Sequence, residues 1–393
     1  MRKLNEFIST QGKLLRCGYT TGTCAAAATR AATDLLLGGS APATISVNTP
    51  AGICVEVDVE EASRGNGWAQ CSVRKDAGDD PDVTDGILVQ ARVGISACEG
   101  LHVDGGVGVG RVTKEGLDQP PGSAAINAVP RSMIEREALL SASEHGYEGG
   151  LNICISIPGG EELATRTFNP RLGIEGGLSV LGTTGIVRPM SEDALVESLQ
   201  LELRVLHARG ATQALLVPGN FGMAFAQTEL GIAAEHAVTC SNYVGAALDE
   251  AARLGFEAVL LVGHVGKLAK VAAGIMNTHS RMADGRAETL ATHAALAGAT
   301  RSTIEAIVEA PTTEAMLDVL GREGLLESTM ASLACKLSEH LRLRAGNRMR
   351  TEAIVFSNRY GLLCKTGGAD KLVARFASPG GTSTPRAQVE TEA

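Results

Sequence analysis

At 393 residues with 44% hydrophobic content, the chain can bury a real core, and its length fits two domains better than one. Aromatic residues make up only 3%, so the core must be Ala, Val, Leu and Ile, a palette that suits α/β layers more than a β-sandwich. A net charge of −9 without a long Lys/Arg run argues against a nucleic-acid binder, and no apolar run reaches membrane-spanning length. The nine scattered cysteines form no C-x-x-C pair and read as small residues of a reduced protein, not as zinc ligands. The opening MRKLNEFISTQGK lacks the apolar stretch of a signal peptide, so a cytoplasmic location is expected.

Residues 17–37, CGYTTGTCAAAATRAATDLLL, read as a loop feeding a helix, with Thr21 or Thr23 as N-cap and Gly38-Gly39 as its stop. Strand-like runs follow: ATISVNT, GICVEVDVE and WAQCSVR. Next comes RKDAGDDPDVTDG, residues 74–86, with five aspartates and a proline. It cannot be a long helix, and it is either a solvated or capping turn or part of a site. ILVQARVGI is a further strand, the helical period returns over 129–146, and LNICISIPGG is a strand again. The glycine-rich stretch 167–191 has no clean period; its apolar residues argue against disorder, and loops of that length are often functional.

From about residue 191 the texture alternates between helix and strand. An amphipathic helix capped by Ser191 precedes the strand QALLVPGN, a helix over 222–231, the strand EHAVTCSN and the helix YVGAALDEAARLG. The strand FEAVLLVGH follows, then helices to about residue 342. This order implies βαβ units and a parallel sheet, whose ligands sit beyond the carboxyl ends of the strands. The expected fold class is α/β. An α+β domain over 1–190 is joined to an α/β domain over 191–376 with a mainly parallel sheet, and 377–393 are expected to be a disordered tail.

Three strand ends place small or polar residues where a ligand would approach: Pro218-Gly219-Asn220, Ser241-Asn242 and Gly263-His264. GGVGVG at 105–110 looks like a nucleotide loop, but it leads to Pro120-Pro121, not directly into a helix, so close backbone packing is the better reading of its glycines. A helix is expected to start near Gly266, carrying Lys267 and Lys270 on neighbouring positions that are either site residues or an ordinary solvated face. No calcium-loop register or HExxH spacing is present, so no metal is expected, and without a G-x-S-x-G elbow hydrolase chemistry has no support.

Taken together, CGYTTGTCAAAA, VRKDAGDDPDVTDG, GGVGVGRVTKEGL, AINAVPR, FNPRLGIEGGLSVLGTTGIVRPMS, PGNFG, SNYVG and GHVGKLAKVAAGIMNTHSRMADGR resemble the CbiD family, in order, over about residues 16–300. One departure is Ala128, where the family has proline in its INPVPR motif. The resemblance implies a cobalt-precorrin-5B (C-1)-methyltransferase of anaerobic-type cobalamin biosynthesis that uses S-adenosylmethionine and yields cobalt-precorrin-6A. It implies a carboxylate-fringed substrate held by Thr20, Thr21, Arg131, Arg171, Thr183, Thr184, Lys267 and Arg281, with Arg166, Arg188 and Lys270 as further basic candidates. The cationic donor would be held by Asp76, Gly219, Asn220, Ser241, Asn242 and Gly263, and the candidate catalytic residues are Asp79, Asp80 and His264, with Asp82 in the same acidic turn. Helix or turn capping by the aspartates stays open, as does a homo-oligomer. Two rival classes are a Mg²⁺-dependent phosphotransferase and a non-catalytic corrinoid carrier.

Overall fold

A computed structural model describes residues 2–10, 12–167 and 169–377, which divide into two compact units, Met1–Glu192 and the chain from Asp193 on. The expected tail lies outside the described residues except for residue 377.

The first unit is an α+β layer. Six strands form one sheet: β1 (Thr44–Asn48), β2 (Cys54–Gly65), β3 (Trp68–Arg74), β4 (Leu88–Ser96), β5 (Leu101–Gly105) and β6 (Gly150–Ser156), in spatial order β1-β2-β3-β4-β6-β5. Neighbours are antiparallel except β5 and β6. The period-2 pattern turns Ala69, Cys71, Val73, Val89, Ala91, Val93, Ile153 and Ile155 to one buried face.

Onto that face pack α1 (Thr21–Gly38) and α2 (Ala128–Glu144). The alanine run of α1 is buried on all sides, since methyl side chains let the helix lie close to both sheet and α2. Its N-cap is Thr20, one residue before the first expected cap: the Thr20 hydroxyl accepts the N–H of Thr23 at 3.2 Å. Gly39, at φ 82°, closes the helix on the carbonyl of Leu35.

The long glycine-rich connection is ordered. Ile174–Glu175 pairs with Arg111–Val112, Ile186–Val187 pairs with Gly18–Tyr19, and parallel bridges join Val109 to Leu178 and Ile126 to Val180. The GGVGVG glycines serve this packing: a Cβ on Gly108, already at φ +73°, would lie 1.8 Å from the Ile157 carbonyl oxygen. A hairpin of Phe7–Thr10 with Lys13–Arg16 was not expected.

The second unit carries a five-stranded sheet of β7 (Gln213–Val217), β8 (Ala237–Thr239), β9 (Ala258–His264), β10 (Arg350–Ser357) and β11 (Gly361–Lys365), ordered β8-β7-β9-β10-β11. The first four strands are parallel, and β11 is an antiparallel edge. Preceded by α3 (Glu192–Ala208), the chain runs β7, α4 (Asn220–Thr228), β8, α5 (Val244–Leu254), β9 and α6 (Val265–Ala272). It then passes through α7 (Arg286–Leu296), α8 (Arg301–Glu309), α9 (Thr313–Arg322) and α10 (Leu326–Arg344) before β10, and α11 (Ala369–Ala377) follows β11.

Two apolar clusters lie on opposite faces of this sheet, one including α4 and α11, the other α5 and the long helices. The sheet is therefore doubly wound, with its switch point between β7 and β9. Helix α4 starts two residues before the expected 222 and ends three before 231, and α6 begins at Val265 instead of Gly266. β10, β11 and α11 were not anticipated.

Candidate functional site

The motif segments of the first unit converge on the amino-terminal end of α1. Thr20 N–H donates to Gly185 O at 3.1 Å, Gly22 N–H to Leu181 O at 3.2 Å, and the Thr23 hydroxyl to Gly185 O at 2.7 Å. Thr21 exchanges two bonds with the backbone of Leu181, at 3.2 Å and 3.1 Å. Tyr19 N–H donates to Asp76 O at 2.8 Å, joining this hub to the acidic turn.

The acidic turn proves to be a bonding device. Asp76, 2% exposed, takes both terminal nitrogens of Arg16, Nη2 at 2.7 Å, and the N–H of Gly78 at 3.1 Å. Burial opposes its ionisation, but Arg16 and the Gly78 N–H outweigh that and hold its pKa below the ordinary aspartate value. Asp82 is ion-paired to Lys75, itself 2% exposed, and accepts the N–H and hydroxyl of Thr84; these likewise overcome burial and lower its pKa. Asp79 accepts the N–H of Arg16 at 2.7 Å, Asp80 that of Met190 at 2.9 Å and Asp85 that of Ala77 at 2.8 Å. All five carboxylates accept backbone N–H groups, as the capping alternative required. One oxygen each of Asp79 and Asp80 accepts no hydrogen bond among the described residues.

Several expected substrate contacts are internally committed. Thr20 and Thr21 are 5% and 4% exposed with their hydroxyls bonded, so they tie loops and offer nothing to a ligand. Thr183 and Thr184 are both exposed, and the Thr184 hydroxyl donates to Ile186 O at 3.0 Å. Arg131 donates through Nη1 to Val103 O at 2.9 Å, and its buried Nε has no partner among the described residues. Arg171 lies in the short helix Asn169–Leu172, and its side chain lies outside the described residues.

In the second unit, the carboxyl ends of β7, β8 and β9 meet at the switch point, where open α/β sheets have their ligand crevice. Gly219 sits at φ 146°, ψ −176°, a region open in practice only to glycine, and Ser241 is left-handed at φ 51°. Lys267, from the first turn of α6, reaches back to Pro218 O at 2.6 Å and Ser241 O at 3.2 Å, and burial lowers its pKa. It thus clamps two strand ends and keeps one N–H in hand. Asn242 bonds to Thr278, which lays residues 276–285 beside the crevice. Lys270, 3% exposed, holds the same loop through Thr278 O and Ala283 O, so it is an interior clamp and no solvated face. Asn220 and Arg281 are exposed at this end.

Two strand-end residues take structural offices. Gly263 is buried within β9, where a Cβ would press on Leu268 at 3.0 Å. His264 caps α6: Nδ1 accepts the N–H of Gly266 at 3.1 Å, and Nε2 faces Glu314 at 3.1 Å. An Nδ1 that accepts fixes the proton on Nε2, toward Glu314, so the ring has no free lone pair for a base. Arg16, Lys75 and Glu314 were missed; a lysine inside an acidic run directly after a buried strand was the one available cue.

Family models match twice: CbiD over residues 8–189, and CbiD, C-terminal domain, over 277–367. Cobalt-precorrin-5B C(1)-methyltransferase of Ruminiclostridium cellulolyticum is 48% identical over 90% of this chain and 92% of that protein. The protein of the same name from Thermoanaerobacter sp. is 44% identical over 91% and 97%. A crystal structure of cobalamin biosynthesis protein (cbiD) from Archaeoglobus fulgidus shares 31% identity over 70% of this chain and 86% of that one, with a TM-score of 0.39. With matches in both units and near-half identity along nine-tenths of its length, the chain belongs to the CbiD family.

Proposed function

We propose that the chain is an S-adenosylmethionine-dependent C-methyltransferase that methylates C-1 of cobalt-precorrin-5B, giving cobalt-precorrin-6A in anaerobic-type cobalamin biosynthesis. The observation that carries this reading is 48% identity over 90% of the chain to a protein of that name. The phosphotransferase alternative loses its ground because the GGVGVG glycines serve backbone packing and the aspartates bond internally.

The reaction is an in-line displacement. The ring carbon's electron pair forms the new C–C bond, the methyl–sulfur bond breaks, and sulfur keeps that pair and loses its positive charge. The protein's work is alignment and exclusion of water, which needs no activated nucleophile. The motif cysteines are unsuited to a methyl relay: burial pushes Cys24 and Cys240 up to about 12. Direct transfer is the supported route.

The donor is assigned to the switch-point crevice. Gly219 and Asn220, with Ser241 and Asn242, would line it, and the uncommitted N–H of Lys267 would meet the donor's carboxylate. Backbone strain at Gly219 and Ser241, which the fold must hold against its cost, supports the assignment. Asp79 and Asp80 stay in the proposal as carboxylates with an oxygen to offer. Thr183, Arg171 and Arg281 remain substrate candidates. His264, Gly263, Thr20 and Thr21 are reassigned to structure. Two domains, 1–190 and 191–376, and a cytoplasmic location belong to the same reading; among the described residues no helix is long and apolar enough to cross a membrane. The test is incubation with methyl-labelled S-adenosylmethionine and the cobalt-containing intermediate, then location of the label: label at C-1 is expected, and none on the ring would overturn the reading.

A further inference from the structure

The buried face of the first unit's sheet is covered by α1 and α2, and the opposite face is open. Strand register arranges it in rows. One row runs Trp68, Gly94, Asn152, His102 across β3, β4, β6 and β5, and the next runs Gln70, Arg92, Cys154, Asp104. Gly94 leaves a gap in the first row, which opens a groove of about 330 Å³ walled on one side by Trp68. The Arg92 guanidinium lies over the Trp68 ring, 3.8 Å from its centroid. Three strand spacings separate the Trp68 and His102 backbones, about 14 Å, the breadth of a tetrapyrrole disc.

The charges on this face are unequal in their freedom. Asp104 is matched by a two-point pair with Arg111, at 2.7 Å and 3.0 Å. Arg92 has no carboxylate partner among the described residues and is pre-oriented by its stack on tryptophan. A surface of Trp68, Gly94 and Cys154, flanked by Asn152 and His102 and lying beside a guanidinium that has no carboxylate partner among the described residues, fits a planar anion whose rim carries carboxylates. We propose that the open sheet face binds the carboxylate-fringed macrocycle, with Trp68 and Gly94 as the seat of the ring and Arg92 as the anchor of a peripheral carboxylate. The assignment rests on the methyltransferase reading for the identity of the macrocycle, and on the groove alone for its chemistry.

Trp68 is the chain's single tryptophan, so intrinsic fluorescence reports occupancy in the full-length protein. The probe is cobalt uroporphyrin, an eight-carboxylate disc, set against a cobalt porphyrin with a cationic fringe. Because a cobalt tetrapyrrole quenches at a distance, location is read from variants. Arg92→Gln removes the anchor; Gly94→Val fills the groove, and its Cβ would meet only Gly67 O at 3.5 Å and Trp68 Cβ at 3.8 Å, so the strand should keep its fold. Cobalt uroporphyrin should quench saturably, each variant should raise its Kd about tenfold, the loss of one charge-assisted contact or of the seat, and the cationic disc should not compete. Unchanged Kd in both variants, or equal binding of the cationic disc, overturns the proposal. So does a variant that shifts only the sedimentation coefficient, which would make the face a contact between two copies of this chain. Methyl transfer is assayed in the same samples. Variant-sensitive binding without any transfer would overturn the transferase reading and leave the groove; transfer with variant-insensitive binding would do the reverse.

Discussion

Replacing Asp76 with Asn should unfold the first unit at markedly lower urea. Asp76 is 2% exposed and takes two nitrogens of Arg16 and the Gly78 N–H. The amide fills the same volume but loses the charge and turns an NH₂ toward the guanidinium. Removing one partner of a buried pair costs about 3–5 kcal/mol; the Arg16 side chain, 16% exposed, keeps some water, which brings the figure to about 2–3 kcal/mol. With a urea m-value of about 2 kcal/mol/M, that loss of about 2–3 kcal/mol from a total of about 5–15 kcal/mol should lower the midpoint by about 1–1.5 M. Trp68 fluorescence follows the first unit alone. The pH dependence supplies a second check. The folded pKa of Asp76 is depressed from 3.8, so its contribution is fully present above the unfolded value and is lost as pH falls through the folded one. The gap between wild type and variant should be flat from about pH 8 to 5 and close below about pH 4. A midpoint that moves less than about 0.2 M, or a gap that persists at acid pH, would refute the ion-pair account.

Gly219→Ala meets no atom of the described residues within 4 Å, so its effect is on the backbone: about 1–3 kcal/mol of strain, expected as an about tenfold weaker S-adenosylmethionine Kd by calorimetry. Unaltered affinity would remove the donor from this crevice. Ser241→Gly relieves a left-handed serine and should raise the second unit's Tm by about 1–3 °C while increasing donor KM; a fall in Tm would count against strain there. His264→Asn preserves a cap for the Gly266 N–H and should retain turnover within about threefold, whereas a loss of about 10³ would restore a proton-transfer role. Because the protein carries −9 and its proposed substrate is a polyanion, macrocycle KM should fall between about 0.01 and 0.15 M salt as repulsion is screened, with donor KM nearly constant; a steady rise would mean that local cations dominate.

The parts legible in the sequence are those whose signal is local. Alternation in CVEVDVE and the alanine run of α1 mark a strand and a helix because period and propensity act within a few residues. The strand ends at Gly219, Ser241 and His264 could be read because parallel strands put small and polar residues beyond their carboxyl ends. The strand β10 was hidden behind the long helical stretch from Arg286 to Arg344, where no periodicity forecasts a return to the sheet. The acidic turn was visible as charge but not as chemistry. Whether Asp76 meets a ligand or Arg16 depends on a contact across sixty residues that no local pattern encodes. The same limit applies to Lys267, whose ammonium closes on two carbonyls of other strands.

Those long-range contacts have a common logic. Among the described residues, three that are not glycine adopt positive φ: Met190, Ser241 and Asn347. Asparagine tolerates that region, but methionine and serine do so at a cost of about 1–2 kcal/mol. Both are pinned by a charged side chain acting on their own backbone: Asp80 accepts the Met190 N–H, and Lys267 donates to the Ser241 carbonyl. A buried or half-buried charge is an expensive way to hold a loop when a glycine would relax it. Its presence in each unit argues that the loop's shape is what the charge serves. In the second unit that shape opens the crevice assigned to the donor. In the first it fixes the carboxylate of Asp80 with one oxygen on the Met190 N–H and the other without a hydrogen bond among the described residues, which is the arrangement the role proposed for Asp80 requires.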